Sequence, residues 1–208
     1  MQYYSRTPRR VRIKDKHKGY RYDHFIHVQL VGDPEVGKSS LVMRIFNNSN
    51  FAKYIPTISF DYKRKIVKMN DTKLKVQIWD TSGGERFRAL TPAIHQRATG
   101  ILHVYDMSNE QSFLNLANWI QFIDQYAHLE AQRMLIGNKC DLVDDQGIAL
   151  QRGQELADES DMKFFATSAK TDTNVLEAFV TVVEDVFEEF RDQTEKRDEP
   201  EKKRCVVL

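Results

Sequence analysis

Residues 32–39, Gly32-Asp33-Pro34-Glu35-Val36-Gly37-Lys38-Ser39, constrain this chain more than any other stretch. They fill the spacing G-x-x-x-x-G-K-S and stand between an apolar run, residues 25–31 (FIHVQLV), and a helical pattern carried by Leu41, Val42, Ile45 and Phe46. Strand, glycine-bounded loop and helix in that order bring successive backbone N–H groups and a helix N-terminus onto one concave surface, which attracts an anion. Lys38 is suited to neutralising β- and γ-phosphate charge and Ser39 to offering its hydroxyl to Mg²⁺, so the loop predicts a nucleotide polyphosphate site made of Asp33, Pro34, Glu35, Val36, Gly37, Lys38, Ser39 and Ser40.

The rest of the chain alternates strand and helix patterns around this loop. Residues 58–69 and 73–79 alternate apolar with polar on either side of Asn70-Asp71 and predict a hairpin. Residues 101–105, 134–136 and 164–166 predict buried strands, and residues 110–126 predict a helix with Phe113, Leu116, Ile120 and Ile123 on one face. A last helix begins near the cap Asn174 and carries Leu176, Phe179, Val183, Val186, Phe187 and Phe190. The fold class is therefore α/β, a mostly parallel sheet covered by helices on both faces, with its ligand at the carboxyl ends of the strands.

Charge and cysteine usage narrow the function classes. Across 208 residues the formal net charge is +1, which gives no general attraction for nucleic acid. The distribution is uneven: residues 6–21 carry Arg6, Arg9, Arg10, Arg12, Lys14, Lys16, Lys18 and Arg21 against Asp15 alone. The two cysteines, Cys140 and Cys205, are far apart and form neither a disulfide framework nor a zinc motif, which fits a reducing compartment. No apolar run approaches the ~20 residues that cross a bilayer. The expected organisation is a basic flexible extension over 1–24, a nucleotide domain over 25–190, and a solvated tail over 191–208.

Base choice is written in a second loop. Asn138-Lys139-Cys140-Asp141 follows a predicted strand, and a carboxylate at Asp141 accepts from the N1–H and exocyclic amine of guanine, where adenine offers a lone pair. Lys139 would lie along the base, and Ser168-Ala169-Lys170 after the last strand would supply a backbone N–H to the guanine O6. Asp80, at the end of the second hairpin strand, suits a second-shell Mg²⁺ ligand, Thr57 offers a hydroxyl to the same ion, and the Gly83 N–H would reach a γ-phosphate oxygen.

With GDPEVGKSS, YIPTI, WDTSGG, NKCD and TSAK in this order, the chain resembles the Ras-like small GTPases over residues 25 to 190, and ISFDY, VQIWDTSGGERF and HVYDMS resemble the Rab signatures within them. The resemblance implies a P-loop fold with a six-stranded, mostly parallel sheet, GTP and GDP as ligands with Mg²⁺, and GTP hydrolysis. It also implies regulation of vesicle traffic at the cytoplasmic face of intracellular membranes, with a cytosolic pool. Its implied partners are exchange factors, activating proteins and effectors that read two switch segments, residues 51–58 and 82–99.

The sequence departs from that family in places that matter for turnover. Gly84 stands where the family carries the glutamine that orients the attacking water, which predicts slow intrinsic hydrolysis and a long-lived GTP form; positioning of the water by an activating protein is the alternative. Pro34 removes an N–H donor and Glu35 brings a carboxylate near the polyphosphate. Asn50 occupies the expected place of an aromatic that stacks near the base, with Phe51 following it. The ending Cys205-Val206-Val207-Leu208 has the C-a-a-X form with leucine last, expected to take one geranylgeranyl group on Cys205, with Lys202-Lys203-Arg204 or the N-terminal basic arm as a second membrane signal. Lys38, Thr57, Gly83 and Gly84 are thus the residues expected to govern hydrolysis. A GTP-loaded interaction module of the same fold that does not hydrolyse, and a P-loop kinase or ATPase, are the competing readings.

Overall fold

In a computed structural model, the described residues are 11–14, 21–46, 61–80, 95–143 and 146–198. Thr57, Gly83, Gly84 and Cys205, Asn50 and Phe51, the first switch segment, most of the second and the basic cluster before Cys205 lie outside them.

Seven strands form one sheet in the order β1-β3-β4-β2-β5-β6-β7. They are β1 Val11–Lys14, β2 His24–Val31, β3 Asp61–Met69, β4 Thr72–Asp80, β5 Gly100–Asp106, β6 Gln132–Asn138 and β7 Lys163–Ala166. β2, β4, β5, β6 and β7 pair in parallel, whereas β3 joins β4 as an antiparallel hairpin and β1 joins β3 antiparallel. Asn70 takes φ 52° in the hairpin turn, a left-handed position asparagine tolerates better than most residues.

Among the described residues five helices cover the sheet: α1 Lys38–Phe46, α2 Glu110–Leu114, α3 Leu116–Tyr126, α4 Gln146–Glu159 and α5 Val175–Asp198. One face packs against α1 and α5 through Ile26, Val28, Val67, Leu74, Val76, Phe179 and Val183, all essentially solvent-free. The other face packs against α3 through Ile101, Leu116, Trp119 and Ile123, and against α4 through Tyr105, Leu135 and Ala157, with Phe113 of α2 packed on the same cluster.

The six-stranded, mostly parallel sheet with helices on both faces is present, and four features differ from the sequence expectations. The basic arm, expected to be flexible throughout, supplies β1, whose backbone pairs Val11–Lys14 with Ile66–Met69 and covers the otherwise open edge of β3. The helix expected over 110–126 is two helices, because Asn109 caps α2 by accepting from the Gln111 N–H and a second helix restarts at Leu116. The last helix runs past residue 190 to Asp198, since RDQTEKRD contains no glycine or proline and helix formation does not require an apolar period. Finally, α4 has a diluted apolar pattern that gave no clear periodic signal.

Candidate nucleotide site

The phosphate loop leaves the C-terminal end of β2, in the middle of the sheet, and enters α1 at Lys38. Two glycines are dictated by their neighbours. Gly32 has φ +143°, and a Cβ there would sit 2.0 Å from the Val104 carbonyl oxygen of β5. Gly37 has φ +98°, and a Cβ there would sit 2.3 Å from Asn138 Nδ2. Glu35 adopts φ 64° without being glycine, so the outer turn of the loop holds a side chain in a region L-residues avoid. Pro34 and Glu35 are both exposed.

Lys38 is 5 % exposed, and its Nζ donates to the carbonyls of Gly32 at 2.9 Å and Asp33 at 2.6 Å. Burial lowers its pKa to about 8, against the opposing pull of Asp80 and Asp33. Added phosphate charge would raise it further, so the ammonium is kept where an anion gains most. Asp80, the last residue of β4, is buried. Ser39 and Ser40 lie half-buried in the first turn of α1, and Val36 is buried in the core.

Asp33 does not turn toward the concave side of the loop. Its carboxylate accepts from Asn115 Nδ2 at 2.6 Å and Trp119 Nε1 at 2.8 Å, which ties the loop to α3. These partners lie 82 and 86 residues away, and no local pattern in the sequence announces them.

The base-side loops meet the same end of the sheet. Asn138 closes β6, is buried, and works as a clamp: Nδ2 donates to the Val36 carbonyl at 2.8 Å, and Oδ1 accepts from the Ala169 N–H and the Thr167 hydroxyl, both at 3.3 Å. Lys139 has φ 60°, and its Nζ lies 2.7 Å from Asp106 Oδ2 at the end of β5. Burial pushes the Asp106 carboxyl up, but hydrogen bonds from Lys139 and Ser108 outweigh it and leave the pKa below its ordinary value. Asp141 Oδ1 accepts from the Ser168 hydroxyl at 2.6 Å, and its Oδ2 lies 3.7 Å from the exposed Lys170 ammonium. Cys140 N–H donates to the Thr167 carbonyl, so the two loops are joined by backbone as well.

Arg44, in the last turn of α1, donates from Nε to the Ala169 carbonyl at 2.9 Å and from the guanidinium to the Lys170 carbonyl at 3.0 Å. The sequence reading missed this brace; its signal was a basic residue at the end of the helix that follows the phosphate loop. The structure thus gathers residues 32–40, Asp80, Asn138, Lys139, Asp141 and Ser168–Lys170 at the carboxyl ends of β2, β4, β6 and β7.

Comparison with known proteins agrees with that geometry. Residues 27–188 match the Ras family. The chain is 43% identical over 166 residues to Ras-related protein Rab-8B of Pongo abelii, covering 80% of each chain. It is 44% identical over 165 residues to Rab-8B of Dictyostelium discoideum, covering 79% of this chain and 81% of that one. Against Ras-related protein Rab-10 of Diplobatis ommata it is 40% identical over 167 residues, covering 80% of this chain and 84% of the relative. The chain belongs to the Ras family and is a Rab-related small GTPase.

Proposed function

We propose that this GTPase is a membrane-traffic switch of the Rab type whose nucleotide grip is intact and whose intrinsic hydrolysis is slow. The observation that carries the first half is the Asn138 clamp, because it holds the phosphate loop and the Ser168–Lys170 loop in one rigid frame. In this reading Asp141 accepts from the guanine edge, Lys139 lies along the base face, and Ala169 with its neighbours donates to the base oxygen. Backbone N–H groups of residues 33 and 35–40 and the Lys38 ammonium would receive the phosphates, with the Gly83 N–H at the γ-phosphate.

The oxygen-only donor set of Ser39, Thr57 and Asp80 suits a hard cation of the Mg²⁺ type. The buried Asp80 carboxylate, close enough to Lys38 to act on its pKa, supports that assignment. Mg²⁺ would supply charge neutralisation between the β- and γ-phosphate oxygens. The chain's own part is positional: Lys38, itself buried, draws off charge that develops on the bridging oxygen. Gly84 has no side chain with which to orient the attacking water, which is why turnover is slow in this reading.

The cycle would be read by exchange factors, activating proteins and effectors at residues 51–58 and 82–99. A geranylgeranyl group on Cys205 would hold the protein at the cytoplasmic face of an intracellular membrane, with a cytosolic pool. Loading with labelled GTP in the presence of excess ATP, followed by a hydrolysis time course with and without Mg²⁺, tests the whole reading. The expected result is stoichiometric GTP retention that ATP does not displace, with slow Mg²⁺-dependent release of phosphate. Displacement by ATP would overturn guanine selectivity, and complete retention without phosphate release would mean a GTP-loaded interaction module.

A further inference from the structure

Among the described residues, the sheet exposes side chains at its β1-β3-β4 edge on the side opposite α1 and α5. Cross-strand register decides which residues share it, since partners in a ladder point to the same side. One row across the strands reads Lys68, Lys73, and the next reads Ile66, Lys75, Phe25, with the backbone of β1 in register at the edge. Arg64, paired with Gln77, adds a fourth cation to this face. The intervening Lys63 and Lys65 belong to the other side, where Lys65 Nζ donates to the Ile45 carbonyl.

No carboxylate occupies these face positions among the described residues. The nearest acids sit at the ends: Asp71 in the turn lies 3.3 Å from Lys68 Nζ, and Asp23 accepts the Lys73 backbone N–H. Like charges directly opposite one another in a ladder cost stability, roughly 0.2–1 kcal/mol a pair, so the opposed Lys68 and Lys73 are not what folding alone selects. The face also carries aromatic surface. Lys75 Nζ lies 4.7 Å from the Tyr22 ring centre and 5.2 Å from that of Phe25, and Arg64 lies 4.6 Å from that of Tyr62. Arg64, Lys68, Lys73, Tyr22 and Tyr62 are exposed.

We propose that this basic, aromatic-bordered sheet face docks on an anionic lipid bilayer. Charge complementarity supplies the attraction, and the position of the chain terminus selects a membrane over other polyanions. The C-terminal part of α5 packs at the same end of the sheet, with the His24 ring 5.6 Å from Phe187 and 5.8 Å from Phe190, and His24 pairs with Leu74, next to Lys73. Eight helical residues separate Phe190 from Asp198, a rise of about 12 Å, and ten more residues reach Leu208. A lipid on Cys205 and the basic face can therefore engage one bilayer together, and a single prenyl chain needs such a second contact for stable anchoring. The phosphate loop leaves the far end of the eight-residue β2, roughly 25 Å away, so docking leaves the nucleotide site uncovered. The choice of bilayer as occupant rests on the C-terminal lipid reading given above; the face itself does not.

The test uses the full-length, unprenylated, GDP-loaded protein and vesicle co-sedimentation. Vesicles of phosphatidylcholine with phosphatidylserine are expected to retain it, and phosphatidylcholine alone is not. At about 1 kcal/mol for each basic residue near an anionic surface, Lys68→Gln with Lys73→Gln is expected to lower partitioning about 30-fold with GDP retention unchanged. Arg152→Gln with Lys163→Gln, the same charge change at the half-buried Arg152 of α4 and the exposed Lys163 of β7, is expected to stay within about twofold of wild type. A chain lacking residues 1–20, and so Arg12 and Lys14, is expected to weaken binding independently. Equal partitioning onto both vesicle types, equal losses in both double variants, or tighter binding to an oligonucleotide or acidic peptide than to anionic vesicles would overturn the proposal. Prenylated protein that binds phosphatidylcholine–phosphatidylserine vesicles no more tightly than the unprenylated protein would instead overturn the single-lipid reading and leave the docking face standing.

Discussion

The base-side loops and the outer turn of the phosphate loop stand at one end of one sheet and are held in opposite ways. Asn138–Asp141 and Ser168–Lys170 are cross-linked by Asn138, by Ser168 on Asp141, by the Cys140 N–H on Thr167 and by Arg44 on two carbonyls. Pro34 and Glu35 are exposed, and Glu35 sits at φ 64°. The difference teaches where the site tolerates change. In the proposed reading base selectivity rests on this cross-linked network, where a removed partner leaves another group unpaired, whereas Pro34 and Glu35 are exposed and can vary at small cost.

Removing the base-reading carboxylate is the strongest way to break this comparison. Asp141→Ala should weaken GDP binding by about 10³-fold or more, because two hydrogen bonds to a charged acceptor are lost at ~1.5–3 kcal/mol each. Equilibrium titration measures it, and a loss below tenfold would mean the base side is not the rigid half. Next in size is Asn138→Ala, which removes the clamp and leaves the Val36 carbonyl and Ala169 N–H without their partner. Urea unfolding should show a destabilisation of about 2–4 kcal/mol, accompanied by faster GDP release.

Between pH 7 and 5 acid should act through two buried histidines on the phosphate side. His103 is wholly buried in β5, paired in register with Val31 just before the phosphate loop, and burial lowers its pKa to about 3. His95 lies close to it, with Nδ1 2.8 Å from Gln29 Oε1 and a pKa lowered by burial to about 4. Neither ring nitrogen of His103 has a hydrogen-bond partner among the described residues. Both folded-state values lie below the unfolded value of 6.5. The unfolded chain therefore binds protons first, and stability is complete above pH 6.5 and falls as pH drops toward 4, by up to ~1.4 kcal/mol per pH unit for each histidine. His103→Leu should remove about half of that slope in denaturant unfolding between pH 5 and 7. An unchanged slope would assign the acid sensitivity elsewhere.

The smallest effect belongs to the exposed turn. Glu35→Gly releases a left-handed side chain and should change stability by no more than about 0.5–1 kcal/mol, with GDP affinity within a few-fold of wild type. A large loss of affinity would show that the outer turn holds nucleotide after all.

The glycine-bounded loop, the hairpin at Asn70 and the NKCD loop could all be read from the chain because each is a local pattern whose physics is complete within about ten residues. What could not be read was tertiary. Asp33 reads as a phosphate-loop residue, yet its carboxylate is taken by Asn115 and Trp119 on α3. Asn138 reads as a base contact, yet both ends of its amide are occupied by neighbouring loops. β1 was hidden because four residues inside a basic arm become a strand only when the edge of β3 is there to receive them. The continuation of α5 to Asp198 is hidden for the opposite reason: the apolar period ends at Phe190, but polar helix formers carry the helix on.

The measurement that bears most directly on an intact grip joined to slow turnover is single-turnover GTP hydrolysis by the wild type and by Gly84→Gln, both loaded to the same occupancy. Equal loading with hydrolysis at least about tenfold faster in the variant is the predicted result, a gain that ~1.4 kcal/mol of transition-state stabilisation supplies. Equal loading with equal rates would contradict it.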